Sequence, residues 1–200
     1  DSIKELHKAE NIGNFKSNFY QRLAYDEIFS TFLVNSQVRK KIKRIKKINK
    51  TLNINKQNSI IKNLDFSLTN DQIKSLNEIN EDLSSSNKMF RLLQGDVGSG
   101  KTIVSLLAAT NTINSGFQVA FMAPTEILTR QHFELAKKIL PKRYNIVLIS
   151  GKSEYREKKK ILRNLENNQI DIIFGTHAIF QKKVIFKKLG LIIIDEQHKF

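Results

Sequence analysis

Hydrophobic and polar positions divide the chain into two regimes. Between Phe19 and Leu52 there is no Gly or Pro, and Leu23, Ile28, Phe32, Val38, Ile42, Ile45, Ile48 and Leu52 recur mostly three or four apart. That spacing lays apolar side chains along one helical face, so one long amphipathic helix or two in tandem is expected. Residues Asn53 to Asp65 are polar, rich in Asn and Lys, and break the pattern. A domain boundary is placed there, giving 1–64 as a helical connector and 65–200 as a second domain.

Beyond the break, helix and strand patterns alternate. A helix from about Asn70 to Leu83 precedes the loop Ser84 to Asn87, and Met89-Phe90-Arg91-Leu92-Leu93 reads as a short strand. After a glycine-rich segment, the apolar run from Ile103 has helical length and ends near Ser115, with Gly116 as the residue that terminates it. A strand at Gln118 to Met122 stops at Pro124, and Thr125 can cap the helix that runs to just before Pro141. Tyr144 to Ser150 predicts a strand, Ser153 to Asn167 a charged helix, and Ile170 to Phe174 and Leu189 to Ile194 two more strands. Short apolar strands separated by helices imply an α/β fold with a parallel sheet of five strands covered on both faces.

In such a sheet, ligands bind beyond the carboxyl ends of the strands. The unusual residues fall there: Gly95 to Thr102 after the first strand, Pro124-Thr125-Glu126 after the second, Gly151-Lys152 after the third, Gly175-Thr176-His177 after the fourth and Asp195 to His198 after the fifth. Gly95-Asp96-Val97-Gly98-Ser99-Gly100-Lys101-Thr102 fits the G-x-x-x-x-G-K-[ST] phosphate loop. Its glycines let backbone N–H groups close around phosphate oxygens, Lys101 neutralises charge and Thr102 reaches Mg²⁺. The run Leu191 to Ile194 then delivers Asp195 to hold the metal, in part through water, and Glu196 to orient or deprotonate the attacking water. Taken alone, Asp195-Glu196 would equally fit acids that cap a strand end.

Charge adds a partner class. Against 19 Asp and Glu stand 34 Lys and Arg, a formal charge of +15 that suits a polyanion such as nucleic acid. Arg39, Lys40, Lys41, Lys43, Arg44, Lys46, Lys47 and Lys50 carry eight of these charges with no acid between them. They form either a phosphate-contacting surface or a solvated helix face, and the Lys- and Asn-rich bias of the whole chain is compatible with both. Cysteine is absent, which excludes disulfides and cysteine metal sites. No stretch approaches a membrane span, so a cytoplasmic, nucleoid-associated protein without membrane contact is expected.

In this order the motifs resemble those of superfamily 2 helicases, and within them the RecG-type ATP-dependent DNA helicases. The resemblance runs through Gly95 to Thr102, Met122 to Leu128 with Gln131-His132, Asp171 to Ile173 with Gly175 to Ala178, and Gly190 to His198. Upstream, Gln21 to Glu27 resembles the helical segment that joins the DNA-wedge domain of that family to its motor. The transcription-repair coupling translocase is similar, but its last motif usually reads Asp-Glu-Glu-His where this chain has Gln197.

The resemblance implies a RecA-like lobe with ATP and Mg²⁺ as cofactors and branched double-stranded DNA as partner, driven in stalled-fork reversal and Holliday junction branch migration by a motor acting as a monomer. It implies Lys101, Asp195 and Glu196 in catalysis, the loop 95–102 and Gln72 on the nucleotide, Pro124, Thr125, Gly151 and Thr176 on the DNA backbone, and Gln197 and His198 as couplers to a second lobe. Two of these assignments have local alternatives. Thr69-x-x-Gln72 also fits a helix capping box, and Thr125, Gly151 and Thr176 also fit caps and turns. Because the chain stops five residues after Asp195, a piece of a larger helicase is expected, without its wedge domain and second lobe and inactive alone. A nucleotide-switched nucleic-acid-binding module without hydrolysis is the alternative.

Overall fold

The computed structural model describes residues 18–44, 50–151, 154–181 and 183–196. Two compact units partition the chain, Asp1–Lys47 with Asn87–Phe90 and Ile48–Ser86 with Arg91–Phe200. In the first, helix α1 (Asn18–Arg44) follows from the Gly- and Pro-free stretch with helical apolar spacing. Arg22 and Asp26 pair at 3.2 Å one turn apart, and Tyr25 stacks on Phe29 with ring centroids 5.8 Å apart. Lys40 and Lys41 are exposed, whereas the side chains of Arg39, Lys43 and Arg44 and all of Lys46 and Lys47 lie outside the described residues.

The last cation of the basic run corrects the expectation of one continuous charged face. Lys50 belongs to the second unit, where it is buried with its Nζ 5.3 Å from the centre of the Phe117 ring. A cation stacked on an aromatic face is not displayed to a polyanion. Residues 53–65, polar on reading, also fold. Asn53 accepts the Lys56 N–H at 3.0 Å and caps helix α2 (Ile54–Lys62), which buries Gln57 and Ile60 against the helix that follows the phosphate loop. Gln57 sits on the buried face beside Ile60 because its amide is satisfied there, donating to Leu107 O and accepting from Asn80.

The remaining elements of the second unit are α3 (Asn70–Ser84), α4 (Lys101–Asn114), β1 (Gln118–Met122), α5 (Glu126–Ile139), β2 (Ile146–Ile149), α6 (Tyr155–Glu166), β3 (Ile172–Gly175), a 3₁₀ turn (His177–Phe180) and β4 (Leu189–Ile194). The four strands are parallel in the order β2-β3-β1-β4, with Val119 opposite Ile172 on one side and Leu191 on the other. Alternation along β1 sorts the core. Ala120 and Met122 pack with Ile161 and Leu165 of α6, while Phe121 stacks on Phe174 and meets His132 of α5. Helices therefore cover both faces, and central strands β1 and β3 are buried throughout.

Among the described residues four strands, not five, make the sheet. Met89 to Leu93 pairs with no strand; Phe90 and Leu92 are 68% and 73% exposed, and Arg91 is held instead by carboxylates of α3, Asp82 and Glu78, each at 2.7 Å. Apolar composition makes a segment competent for a sheet, but a strand exists only where a neighbour completes its ladder. One buried polar residue deserves its place in the core: Gln118 donates to the carbonyls of Leu165 and Ile170 and accepts the Lys188 N–H, tying both flanking connections to β1.

Candidate nucleotide and DNA site

The loop 95–100 ends in a glycine that starts α4. Gly98 and Gly100 both sit at φ +82°, the left-handed region, and Gly100 is the N-cap whose carbonyl accepts the first helical N–H of Ile103 at 3.0 Å. The N–H groups of the first turn of α4, Lys101 and Thr102 among them, are thus presented at the positive end of a helix dipole. Behind them Ile103, Val104, Leu106 and Leu107 are buried, which fixes the helix to the sheet. Lys101 folds back over the loop, donating from Nζ to the carbonyls of Gly95 at 2.8 Å and Asp96 at 2.7 Å. Ser99 N–H closes the turn on Asp96 O at 3.2 Å, and Val97 stands fully exposed at its tip.

Gln72 reaches this loop. Its Oε1 accepts the Thr69 N–H and its backbone N–H donates to Thr69 Oγ1, so the capping box forms as the local pattern allows. The same side chain donates from Nε2 to Ser99 O at 2.9 Å.

Asp195 is placed by the sheet. Its N–H donates to Met122 O at 2.9 Å, extending the β1–β4 pairing one residue past the strand, so the carboxylate emerges at the carboxyl edge. There Oδ2 accepts a hydrogen bond from His132 Nε2 at 2.7 Å. That bond is the main reason the Asp195 carboxyl is held below the usual carboxylate range; burial opposes it, and the Glu196 N–H and the charge of Lys101 reinforce it. Glu196 follows at φ +49°, a left-handed conformation that costs a non-glycine residue about 1 kcal/mol.

The other strand ends gather beside it. Thr125 Oγ1 accepts the Leu128 N–H at 3.3 Å and caps α5, with Pro124 in the turn just before it. Glu126 Oε1 accepts the Gly151 N–H at 2.7 Å, and Lys158 Nζ donates to Gly151 O at 2.9 Å, so the backbone of the turn after β2 is held from both sides. Thr176, with Glu126, Arg130, Gln131 and Ser150, lines a groove of about 280 Å³.

Pro124, Thr125, Gly151 and Thr176 thus lie on one edge, where Asp195 also emerges after β4. Gln197 and His198 lie outside the described residues. Sequence reasoning missed the roles of His132, Glu126 and Lys158. His132 stood in a motif, seven residues after Thr125 and so on the same helical face, but nothing along the chain names its partner 63 positions away.

Comparison with known proteins decides the family. The sequence model of the DEAD/DEAH box helicases matches residues 69–200. The chain belongs to this family. It is 43% identical to the ATP-dependent DNA helicase RecG of Thermotoga maritima over 94% of the chain and 25% of that protein. To RecG of Aquifex aeolicus it is 41% identical over 99% of the chain and 26% of that protein. The structure of RecG bound to a three-way DNA junction superposes with a TM-score of 0.82 at 44% identity, covering 90% of this chain and 25% of that one. The UvsW helicase of bacteriophage T4, with a TM-score of 0.54 at 19% identity, shares the fold. The chain spans about a quarter of the length of the RecG relatives it matches. Among the described residues no helix is long and apolar enough to cross a membrane.

Proposed function

We propose that this chain is part of the ATP-binding lobe of a RecG-type helicase, a motor that uses ATP hydrolysis to move on branched double-stranded DNA, reversing stalled forks and migrating Holliday-type junctions. The observation that carries the reading is a glycine loop and helix N-terminus suited to phosphate, closed over by Lys101, with Asp195 delivered to the carboxyl edge of the sheet by its N–H bond to Met122 O. RecG's structure with a three-way DNA junction, matched over 90% of this chain, supports the DNA substrate class.

The donor set fits Mg²⁺. The Thr102 hydroxyl at the start of α4 and the Asp195 carboxylate at the sheet edge are hard oxygen donors, the kind taken by an ion that binds through one or two carboxylates, hydroxyls, waters and substrate phosphates. Thr102 and Asp195 would hold it, the latter partly through water, and its chemistry is to neutralise charge on the transferring phosphoryl group.

This chain's own residues divide the rest of the work. The loop N–H groups of residues 95–102 orient the phosphates, and Lys101 leaves the carbonyls of Gly95 and Asp96 to neutralise β- and γ-phosphate charge. Gln72 contacts adenine while tethering the loop through Ser99. Glu196, one residue past the metal carboxylate, orients the attacking water and takes its proton. Pro124, Thr125, Gly151 and Thr176 meet the DNA backbone, and Gln197 and His198 couple the site to a second lobe. An arginine from that lobe is worth roughly 10³ to 10⁵ in turnover in related phosphoryl-transfer enzymes. The 200 residues alone therefore bind nucleotide weakly and scarcely turn over. The full-length motor acts as a monomer on nucleoid DNA in the cytoplasm.

Glu196→Gln in the full-length protein tests the reading. ATP binding should persist while DNA-stimulated hydrolysis and junction unwinding collapse by at least a hundredfold, the scale of a lost general base. Unwinding at the parental rate would instead support a nucleotide-controlled binding module that does not depend on hydrolysis.

A further inference from the structure

The His132–Asp195 hydrogen bond joins two parts of the site that the sequence keeps apart. His132 belongs to α5, whose first residues lie at the strand-end edge: Thr125 caps the helix and Glu126 holds the Gly151 N–H. Its ring is pinned 5.0 Å from the ring of Phe121, and neighbours Phe133 and Ala136 are buried under the same helix. The imidazole is therefore packed against the core as part of α5. Its Nε2 lies 2.7 Å from Asp195 Oδ2, and the two side chains are 11% and 24% exposed. A donor fixed at that distance takes up one carboxylate oxygen and sets the plane of the group.

We propose that His132 is a positioning residue: it holds the Asp195 carboxylate in the orientation that receives Mg²⁺, and α5 carries that orientation between the strand-end edge and the nucleotide site. The proposal rests on the reading of Asp195 as a metal carboxylate. A rigid helix with one end at the Thr125–Gly151 edge and a histidine on the metal carboxylate gives a direct physical link between the two. Carboxylates that bind metals depend on such supporting hydrogen bonds, whose loss typically weakens metal binding about 10- to 100-fold.

The test measures binding, not turnover, in the full-length protein. A fluorescent non-hydrolysable ATP analogue is titrated in EDTA and then across a Mg²⁺ series, for the parent, His132→Leu, His132→Gln and Asp195→Asn. Leu fills similar space without a donor, whereas Gln retains an N–H. The expected result is unchanged affinity in EDTA, a Mg²⁺ requirement raised about tenfold or more by His132→Leu, and substantial recovery in His132→Gln. If His132→Leu fails to fold, His132→Met, which fills the space without an N–H donor, replaces it. A Mg²⁺ requirement unchanged by loss of the donor, with Asp195→Asn raising it, overturns the role of His132 alone. Equal losses in the Leu (or Met) and Gln variants also overturn it, because packing and not the N–H would then be responsible. An unchanged requirement in Asp195→Asn overturns the metal reading of Asp195 and this proposal with it.

Discussion

Gln72 holds Ser99 by its side-chain amide, Nε2 to carbonyl oxygen at 2.9 Å, while its Oε1 accepts the Thr69 N–H. One side chain thus both starts α3 and steadies the loop before α4, and the two functions can be separated. Gln72→Glu keeps the acceptor for Thr69 but loses the donor to Ser99, so nucleotide affinity should fall roughly fivefold, the worth of a hydrogen bond of about 1 kcal/mol, with little change in thermal stability. Gln72→Ala loses both side-chain bonds while Thr69 Oγ1 still caps the residue-72 N–H, so stability should fall further by about 0.5–1.5 kcal/mol, the worth of one hydrogen bond. Fluorescent nucleotide binding and thermal melts on the two variants check this; equal affinity of Gln72→Glu and the parent would dismiss the tether.

Gly98 and Gly100 share a φ of +82° but not their surroundings. A Cβ at Gly98 meets open space, whereas one at Gly100 falls on the side-chain amide of Gln72. Gly98→Ala should cost only the left-handed backbone penalty, roughly 1 kcal/mol. Gly100→Ala should cost more and release Gln72 from Ser99, with a larger loss of nucleotide binding. Denaturant titrations of both proteins measure the difference, and identical losses would contradict the crowding at Gly100.

A buried chain of amides joins three helices. Gln57 Nε2 donates to Leu107 O, Asn80 Nδ2 to Gln57 Oε1, and Asn111 Nδ2 to Asn80 Oδ1, all within 3.0 Å. Asn80→Ala removes the middle link and strands an acceptor on Gln57 and a donor on Asn111, each costing about 1–3 kcal/mol when buried. The unfolding midpoint should drop accordingly. A loss under about 0.5 kcal/mol, the usual limit for surface substitutions, would mean that the network does not hold α2 and α3 to α4.

The lowered Asp195 pKa has a definite pH signature. Since its folded value lies below the unfolded one, chiefly through the His132 hydrogen bond, its stabilisation is fully present above the unfolded carboxylate pKa and is lost as the pH falls through the folded value. In metal-free buffer the stability difference between the parent and Asp195→Asn should be level above about pH 5, beyond the titration of an ordinary Asp near 3.9, and shrink on acidification. A difference that widens on acidification would reverse the assigned direction.

Local chemistry was legible along the chain because its requirements are local. The phosphate loop, the helix after it, the cap at Thr125 and the carboxylate at the end of an apolar strand each depend on residues within a few positions of one another. Their order was enough to suggest the helicase family. The fold class followed from apolar strands alternating with helices, and strands at 118–122 and 189–194 formed over the lengths expected. Where readings departed from the structure, the missing information was long-range. Met89 to Leu93 has strand composition but no ladder partner, and 53–65 looked like a break because the residue that seats its helix, Gln57, is polar and finds its partners on α3 and α4.

The sequence by itself marked the groups proposed to handle phosphate and metal, since the types and spacing of Gly100, Lys101, Thr102, Asp195 and Glu196 form a pattern written in neighbouring residues. Only the tertiary structure decided that His132 meets Asp195, that Glu126 and Lys158 grip Gly151, and that Gln72 reaches Ser99. Those contacts depend on strand order and on how each helix crosses the sheet, and both are set by burial summed over the whole core.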